Sequence, residues 1–409
     1  MISVAIMGHG VVGSGVAEIL IHHNELISAR VKTEVNVKYI LDLRDFDGLS
    51  YSDKFIKDFE IILNDDDVKV VAEVMGGVNP AYDFVKKCLL KGKSVVTSNK
   101  ELVAAKGAEL IKIAEQNNVN FLFEASVGGG IPVLRPMVQC LAANRITEVS
   151  GILNGTTNYI LNKMIVDNMD FDTALALAQE KGYAEKDPTA DIEGHDACRK
   201  ICILAALAFG KHIYPDQVST EGITKISLDD VEYADNFGCV IKLIGHAELL
   251  ESSKISIWVR PTVVSRECIL SGVNGVFNAI LVTGDQTGEV MFYGKGAGKE
   301  ATASAVVADI MDCIKHIDAR KYLSWEDGDS QSVADSNKPE RLFVKIWSDS
   351  FEALEKQFHD TFGTAGIQFV KNKYRKEIAF ITEEAFESET AEKLNSLENC
   401  NYKILHTML

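Results

Sequence analysis

Asp196 and Lys200 stand four residues apart, a spacing that puts both on one face of a helix, inside the densest polar stretch of the chain, residues 182–200. A surface ion pair is the ordinary meaning of that spacing. Here the helix runs on into residues 201–209, the longest apolar run in the sequence, so the pair stands at the mouth of a buried helix. Such a place favours perturbed titration and catalysis. A second lysine, Lys100, closes Thr97-Ser98-Asn99-Lys100 at the end of an apolar strand. Ligands of open α/β sheets bind beyond the carboxyl ends of strands. Lys100 is therefore either placed to reach a cofactor or substrate oxygen or is a solvated lysine at a helix start. Glu124-Ala125-Ser126-Val127-Gly128-Gly129-Gly130-Ile131-Pro132 ends another strand, and its three glycines permit backbone angles that other residues do not. That loop could offer carbonyls to a cation, offer backbone to a ligand, or serve as an interdomain hinge.

Gly8-His9-Gly10-Val11-Val12-Gly13 fits G-x-G-x-x-G, directly after an apolar strand and at the opening of a helix. That context gives the motif a mechanism. The first glycine makes the tight turn, the second admits a pyrophosphate to the backbone, and the third lets helix and strand pack closely. The helix start then offers free N–H groups and the positive end of its dipole to the phosphates. A dinucleotide-binding Rossmann-type unit follows, with His9 a bystander. At the end of the second strand, Asp42 would accept from ribose hydroxyls and favour NAD, whereas Arg44 would hold a 2′-phosphate and favour NADP. Both stand open.

These residues need elements to carry them. Strands are expected at residues 3–7, 35–42, 68–74, 94–97 and 120–124, with helices from the glycine turn to about 22, at 80–91 and at 101–117. That alternation is the pattern of a parallel α/β sheet. After Gly128-Gly129-Gly130 helices dominate, with strands at 146–153, about 218–223, 255–264 and 279–283, as in an α+β domain. A helix at 299–316 is placed to return to the nucleotide domain. The last 70 residues read strand 341–347, helix 350–361, strands 367–371 and 377–382, helix 388–397 and strand 402–407. That βαββαβ order is ferredoxin-like. The expected division is residues 1–130 (completed by a helix at about 297–318), 131–296, a polar linker at 319–339, and 340–409.

Bulk composition sets limits. The 409 residues are enough for two or three domains and carry a net charge of −17. That argues against a nucleic-acid or anionic-membrane binder, which needs a basic face. No segment approaches a membrane span, and no basic stretch precedes the apolar N-terminus as in a signal peptide. The cysteines (Cys88, Cys140, Cys198, Cys202, Cys239, Cys268, Cys313, Cys400) form no Cys-x-x-Cys pair, which suits reduced thiols and a cytoplasmic protein. Cys198 and Cys202, one helical turn apart, read as core packing because no histidine has ligand spacing to them.

In order along the chain, GHGVVG, TSNK, FEASVGGGIP, GILNGTTNYIL, GYAEKDPTADIEGHDACRK and YGKGAG resemble the homoserine dehydrogenases, over roughly residues 1–320. The length resembles the monofunctional form. The resemblance implies reversible NAD(P)H-dependent reduction of L-aspartate 4-semialdehyde to L-homoserine, a step of threonine, methionine and isoleucine biosynthesis. It also implies a homodimer built on the second domain's sheet, or a homotetramer through the C-terminal module. By position in these motifs it gives Lys200 and Lys100 as catalytic. Glu185, Asp196, Asp191, Gly155, Thr156 and Tyr183 become substrate-binding. Gly8, Gly10, Val11, Val12, Gly13, Asp42, Arg44, Thr97, Lys100 and Gly298 fall at the cofactor. Glu124, Val127, Gly129 and Ile131 hold a sodium ion, mostly by backbone carbonyls. The chemistry agrees: hydride reaching an aldehyde carbon leaves charge on the oxygen, which a cation must stabilise and protonate, while a carboxylate such as Glu185 orients the substrate's ammonium. The C-terminal module resembles an ACT domain. Where such domains carry an Asp-x-x-Gly-Val turn, this chain has Ser348-Asp349-Ser350-Phe351-Glu352-Ala353-Leu354, without glycine. An amino-acid effector such as threonine and a structural or dimerising role both stay open.

Two other readings compete. One is a different dehydrogenase of an amino-acid-like substrate; a phosphorylating semialdehyde dehydrogenase is disfavoured because no cysteine sits in a glycine-rich turn near the cofactor. The other is a redox-silent nucleotide-binding regulator, for which the lysines and clustered acids have no use.

Overall fold

The computed structural model describes residues 1–319, 323, 325–328, 331–334, 336, 338–363 and 367–409. Among them, six parallel strands form the first sheet: β1 (Ile2–Met7), β2 (Val35–Leu41), β3 (Phe55–Ile56), β4 (Val68–Glu73), β5 (Ser94–Thr97) and β6 (Phe121–Leu122), in the order β3-β2-β1-β4-β5-β6. β1, β4 and β5 are apolar nearly throughout because helices cover both faces. The order reverses between β1 and β4, which opens the crevice where such sheets bind ligands. The glycine turn follows β1 at that point. The fifth expected strand, 120–124, is shorter than read. It ends at Leu122, and Glu124–Ser126 is a 3-10 turn.

The helix Lys299–Lys315 does return to this sheet. It packs on Val11–His22, where a Cβ on Gly15 would lie 2.9 Å from the Ala303 Cβ. Val16, Leu20, Val306 and Ile310 share one buried cluster there, and Lys299 donates to Glu18 at 2.8 Å.

The second sheet is mixed. Its strands are β7 (Ile146–Ile152), β8 (Ser219–Thr220), β9 (Cys239–Leu249), β10 (Ile255–Ser265), β11 (Phe277–Gly284) and β12 (Gly288–Lys295), followed by β13 (Leu342–Ser348), β14 (Gln368–Asn372), β15 (Glu377–Ile381) and β16 (Cys400–Met408). They run β12-β11-β7-β9-β10-β16-β13-β15-β14, with β8 beside β10. Sequence reading missed β9 and β12 and overextended β8. β9 does not alternate, because it is buried on both faces for most of its length. The helix His195–Phe209 covers one side, and on the other Val240 and Ile244 pack with Leu270 and Val273.

The C-terminal βαββαβ unit has its own core, with Phe343's neighbours Leu342 and Val344 meeting Phe358 and Phe380. It is nevertheless no separate body. β16 pairs in parallel with β10 from Thr262↔His406 to Val264↔Met408, so one sheet runs through both. The helix Leu228–Asn236 ties the join from the side. Asp230, fully buried, sits between Lys345 Nζ at 2.6 Å and Lys403 Nζ at 2.5 Å, and Tyr233 donates to Glu377 at 2.8 Å. Burial alone would neutralise the Asp230 carboxyl; the two ammonium groups reverse that and hold it below the usual range. Of the expected linker at 319–339, residues 320–322, 324, 329, 330, 335 and 337 lie outside the described residues. Among those described, Trp325 is buried against Phe123 and His212, and Ala334 N–H donates to the Ile255 carbonyl at 3.0 Å. Among the described residues no helix is long and apolar enough to cross a membrane.

Removing Asp230 leaves two cations facing each other without a counter-charge. Asp230→Ala should destabilise the protein by about 3 kcal/mol, read from urea unfolding by tryptophan fluorescence. An unchanged midpoint would show that the join does not depend on this carboxylate.

Candidate active site

Helix His195–Phe209 begins at Gly194, whose φ of 82° is a left-handed angle suited to glycine. The helix then buries Asp196 and Lys200 under β7. Its neighbour is the helix Lys100–Gln116 from the first sheet, and Arg199 bonds Glu101 across the two at 3.0 Å. That packing brings the second lysine in. Asp196 takes Lys200 Nζ on Oδ2 at 2.7 Å and Lys100 Nζ on Oδ1 at 2.5 Å. The Lys200 side chain is 8% exposed and that of Lys100 37%, so Lys200 forms the floor of the cluster and Lys100 its mouth. Lys200 also donates to the Leu153 carbonyl at 2.8 Å.

Asn154, at the end of β7, closes the cluster on its other side. Its Nδ2 donates to Asp191 at 2.7 Å and to Asp196 at 2.9 Å. Its Oδ1 caps the helix Gly155–Asp167 by accepting from Thr157 N–H at 2.8 Å. Thr156 Oγ1 donates to the Tyr183 carbonyl at 2.7 Å and so pins the loop that follows.

Electrostatics separate the four charges. Burial opposes the Asp196 charge, but Lys200 and Lys100 overcome it and hold the carboxyl well below the usual range. Burial dominates at Lys200 and lowers its pKa, since it must share one carboxylate with Lys100. At Lys100 burial also pulls down, yet Asp196 wins and the net shift is upward. Asp191 rises through burial. Of the two lysines, Lys200 is therefore the one that gives up its proton more readily.

The glycine turn has the geometry of a phosphate cradle. Gly8 has φ of 99°, and a Cβ on Gly13 would lie 2.0 Å from the Gly8 carbonyl oxygen. A Cβ on Gly10, at the N-cap of the helix Val11–His22, would meet no protein atom within 4 Å, and no side chain caps that helix. Val11 is exposed at the helix start, with Val12 half-buried beneath it. Asp42 and Arg44 pair with each other: Arg44 Nε reaches Oδ1 and Nη2 reaches Oδ2, each at 3.0 Å. His9 N–H donates to the same carboxylate at 2.8 Å. The His9 ring is buried against Phe46 and Phe55, which fits a bystander. Gly298, with φ of 129°, opens the helix Lys299–Lys315.

Thr97 donates to Glu73 at 2.6 Å and accepts from Asn99 N–H at 2.9 Å, so its hydroxyl holds the turn that starts the Lys100 helix. The Glu124 carboxylate accepts three main-chain N–H groups, from Val133 (2.6 Å), Leu134 (2.8 Å) and Arg135 (2.7 Å). It caps the helix Leu134–Gln139, which leaves main-chain oxygens as the donors this loop has for a cation. The loop is packed backbone on backbone: a Cβ on Gly129 would fall 2.3 Å from the Gly296 carbonyl oxygen, and one on Gly128 2.6 Å from that of Ile131. Oxygen-only donors of this kind fit a hard cation.

Lys100 and Lys200 are therefore joined directly to Asp196, and Asp191 is tied in through Asn154, with Gly155, Thr156 and Tyr183 close by. Glu185 is exposed, and its side chain bonds to none of them; its carbonyl accepts from Gln179 at 3.0 Å. Sequence reasoning passed over Asn154, Glu73 and Asn99. A polar residue closing each of the apolar strands was the signal available.

Two family models match the chain: "Homoserine dehydrogenase, NAD binding domain" over residues 8–124 and "Homoserine dehydrogenase" over residues 132–311. The homoserine dehydrogenase of Synechocystis sp. is 42% identical over 319 residues, 76% of this chain and 73% of its own. That of Bacillus subtilis is 41% identical over 320 residues, 77% and 73%. Among solved structures, a homoserine dehydrogenase from Thiobacillus denitrificans superposes with TM-score 0.87 at 32% identity, covering 100% of this chain and 98% of that one. A hyperthermophilic archaeal homoserine dehydrogenase mutant in complex with NADPH gives 0.65 at 27% identity, covering 76% and 97%.

Asp196→Asn removes the charge that both lysines share and should cost about 3 kcal/mol at pH 7. A carboxyl with a lowered pKa gives its stabilisation above the unfolded value near 3.8 and loses it as pH falls through the lower folded value. The gap between wild type and variant in urea unfolding should therefore persist at pH 5 and narrow only below about pH 4. A gap already closed at pH 5 would refute the ionised, doubly paired state.

Proposed function

The chain belongs to the homoserine dehydrogenase family, and we propose that its activity, NAD(P)-dependent interconversion of L-aspartate 4-semialdehyde and L-homoserine, runs on the Lys100–Asp196–Lys200 cluster. The observation that carries this assignment is one buried carboxylate holding a lysine from each of the two sheets' helices. The nicotinamide, when bound, supplies or takes the hydride. Lys200, the floor lysine with the lowered pKa, gives its proton to the oxygen as charge develops there and takes it back in the reverse direction. Lys100 stays protonated and stabilises that charge. Asp196 keeps both ammonium groups in place. Asn154 ties Asp191 to this cluster, and the turn Gly155–Thr156 with Tyr183 and exposed Glu185 supplies the substrate hook. Glu185 is the free carboxylate for the α-ammonium group.

For the dinucleotide, Gly8, Gly10, Val11, Val12 and Gly13 hold the pyrophosphate, while Thr97, Lys100 and Gly298 border the nicotinamide end. Arg44 shields Asp42 from ribose hydroxyls while the pair is closed, and its exposed guanidinium suits a 2′-phosphate. NADP is therefore favoured and NAD tolerated. Glu124, Val127, Gly129 and Ile131 would hold sodium through main-chain oxygens and so stiffen the loop between the two sheets. A cytoplasmic homodimer built on the second sheet completes the proposal. The C-terminal unit serves to extend that sheet.

The reading is tested by following homoserine-dependent reduction of NADP and of NAD at the nicotinamide absorbance. Lys200→Ala should lower kcat by about 10²- to 10⁴-fold, and full activity in that variant would end the role given to Lys200. Arg44→Ala should raise KM for NADP about tenfold, the scale of one charged hydrogen bond, with a smaller change for NAD. An equal effect on both cofactors would remove Arg44 as the discriminator.

A further inference from the structure

One buried carboxamide belongs to none of the motifs above yet touches the groups that hold Lys200. Asn278, on β11, is 1% exposed. Its Nδ2 donates to the Leu153 carbonyl at 2.8 Å, the same oxygen that accepts from Lys200 Nζ at 2.8 Å. Only the amino end of a carboxamide can satisfy that oxygen, so the orientation of the group is fixed. The backbone has made room for it on both sides. A Cβ on Gly296 would fall 2.1 Å from Asn278 Nδ2, and one on Gly155 would fall 3.3 Å from Asn278 Oδ1. Gly155 starts the substrate-side turn, and Gly296 lies two residues before Gly298 in the loop that meets Gly129.

We propose that Asn278 is a positioning residue for the reaction: it fixes the Leu153 carbonyl, and through it the Lys200 ammonium, relative to the loop that leads to the cofactor-side helix. A carbonyl with one donor can swing; with a second donor anchored on β11 it cannot. Lys200 then has two fixed acceptors, Leu153 O and Asp196 Oδ2, and its third N–H direction is left for the substrate oxygen. The inference rests on the reading of Lys200 given above.

The packing around Asn278 separates this role from a structural one. Asn278 Oδ1 finds no donor among the described residues, so replacing the group by an apolar one of like shape removes an unpaired acceptor as well as a donor, a change that need not destabilise. Asn278→Leu should therefore keep the melting temperature and KM for NADP near wild type, while kcat for homoserine oxidation falls about ten- to a hundredfold, the scale of a misplaced catalytic group. In a Lys200→Ala background the same substitution should cost nothing further, because it acts through Lys200. Asn278→Asp serves if the leucine variant does not fold. Its protonated carboxyl donates to Leu153 as the amide does, whereas the carboxylate does not and adds a charge beside Lys200 and Asp196. Its kcat should approach wild type at low pH and fall as pH rises, unlike the wild-type profile. Wild-type kcat in Asn278→Leu, a full additional loss on top of Lys200→Ala, or a wild-type pH profile in Asn278→Asp would each overturn the proposal. Wild-type protein that fails to oxidise homoserine would instead overturn the assignment of function.

Discussion

The molecule depends most on a single buried carboxylate. Asp196 sits where the helices of two sheets meet and accepts a lysine from each. A carboxylate so deeply buried is costly unless it is paired and hydrogen-bonded. Its pairing requires the two helices to stay in register, so the demand for charge balance and the geometry proposed for catalysis are met by the same contact. Asn154 adds a neutral donor that ties in Asp191 without adding charge. The cluster's asymmetry follows from burial: Lys200 lies at the floor and Lys100 at the mouth.

Small residues let the remaining elements close around this point. Gly13 admits the Gly8 carbonyl, Gly15 admits Ala303, Gly129 admits Gly296, and Gly296 admits Asn278. The last two contacts bring the loop after β12 against both the glycine loop and Asn278 of β11. Helix Lys299–Lys315 then carries the chain from the second sheet back onto the first. The two halves of the crevice are covalently and sterically one unit. The C-terminal strands continue the second sheet through β10 and β16, locked by Asp230 between two more lysines. Twice among the described residues a buried aspartate shared by two ammonium groups marks a place where separate stretches of chain meet.

Much of this was legible beforehand, for identifiable reasons. The parallel sheet showed itself through apolar strands separated by helices. The glycine turn, Lys100, Asp196 and Lys200 stood at strand ends or at the mouth of an apolar helix. β9 was not legible, because a strand covered on both faces loses the alternation that marks strands. The continuity of the C-terminal unit with the second sheet was not legible either, since the parallel pairing of β10 with β16 joins residues about 140 positions apart.

The sequence by itself determined the local chemistry. It set which turns need glycine, which helix face pairs Asp196 with Lys200, and which strand end offers Lys100. These depend on neighbours within a turn or two. Tertiary structure decided what the residues share: that Lys100 reaches the same carboxylate as Lys200, that Arg44 covers Asp42, that Glu124 caps a helix instead of offering its carboxylate, and that Asn278 meets Lys200 at one carbonyl oxygen. Each depends on the angle at which distant elements pack. That angle is fixed by side-chain volumes and buried charges acting together, and no local pattern records it.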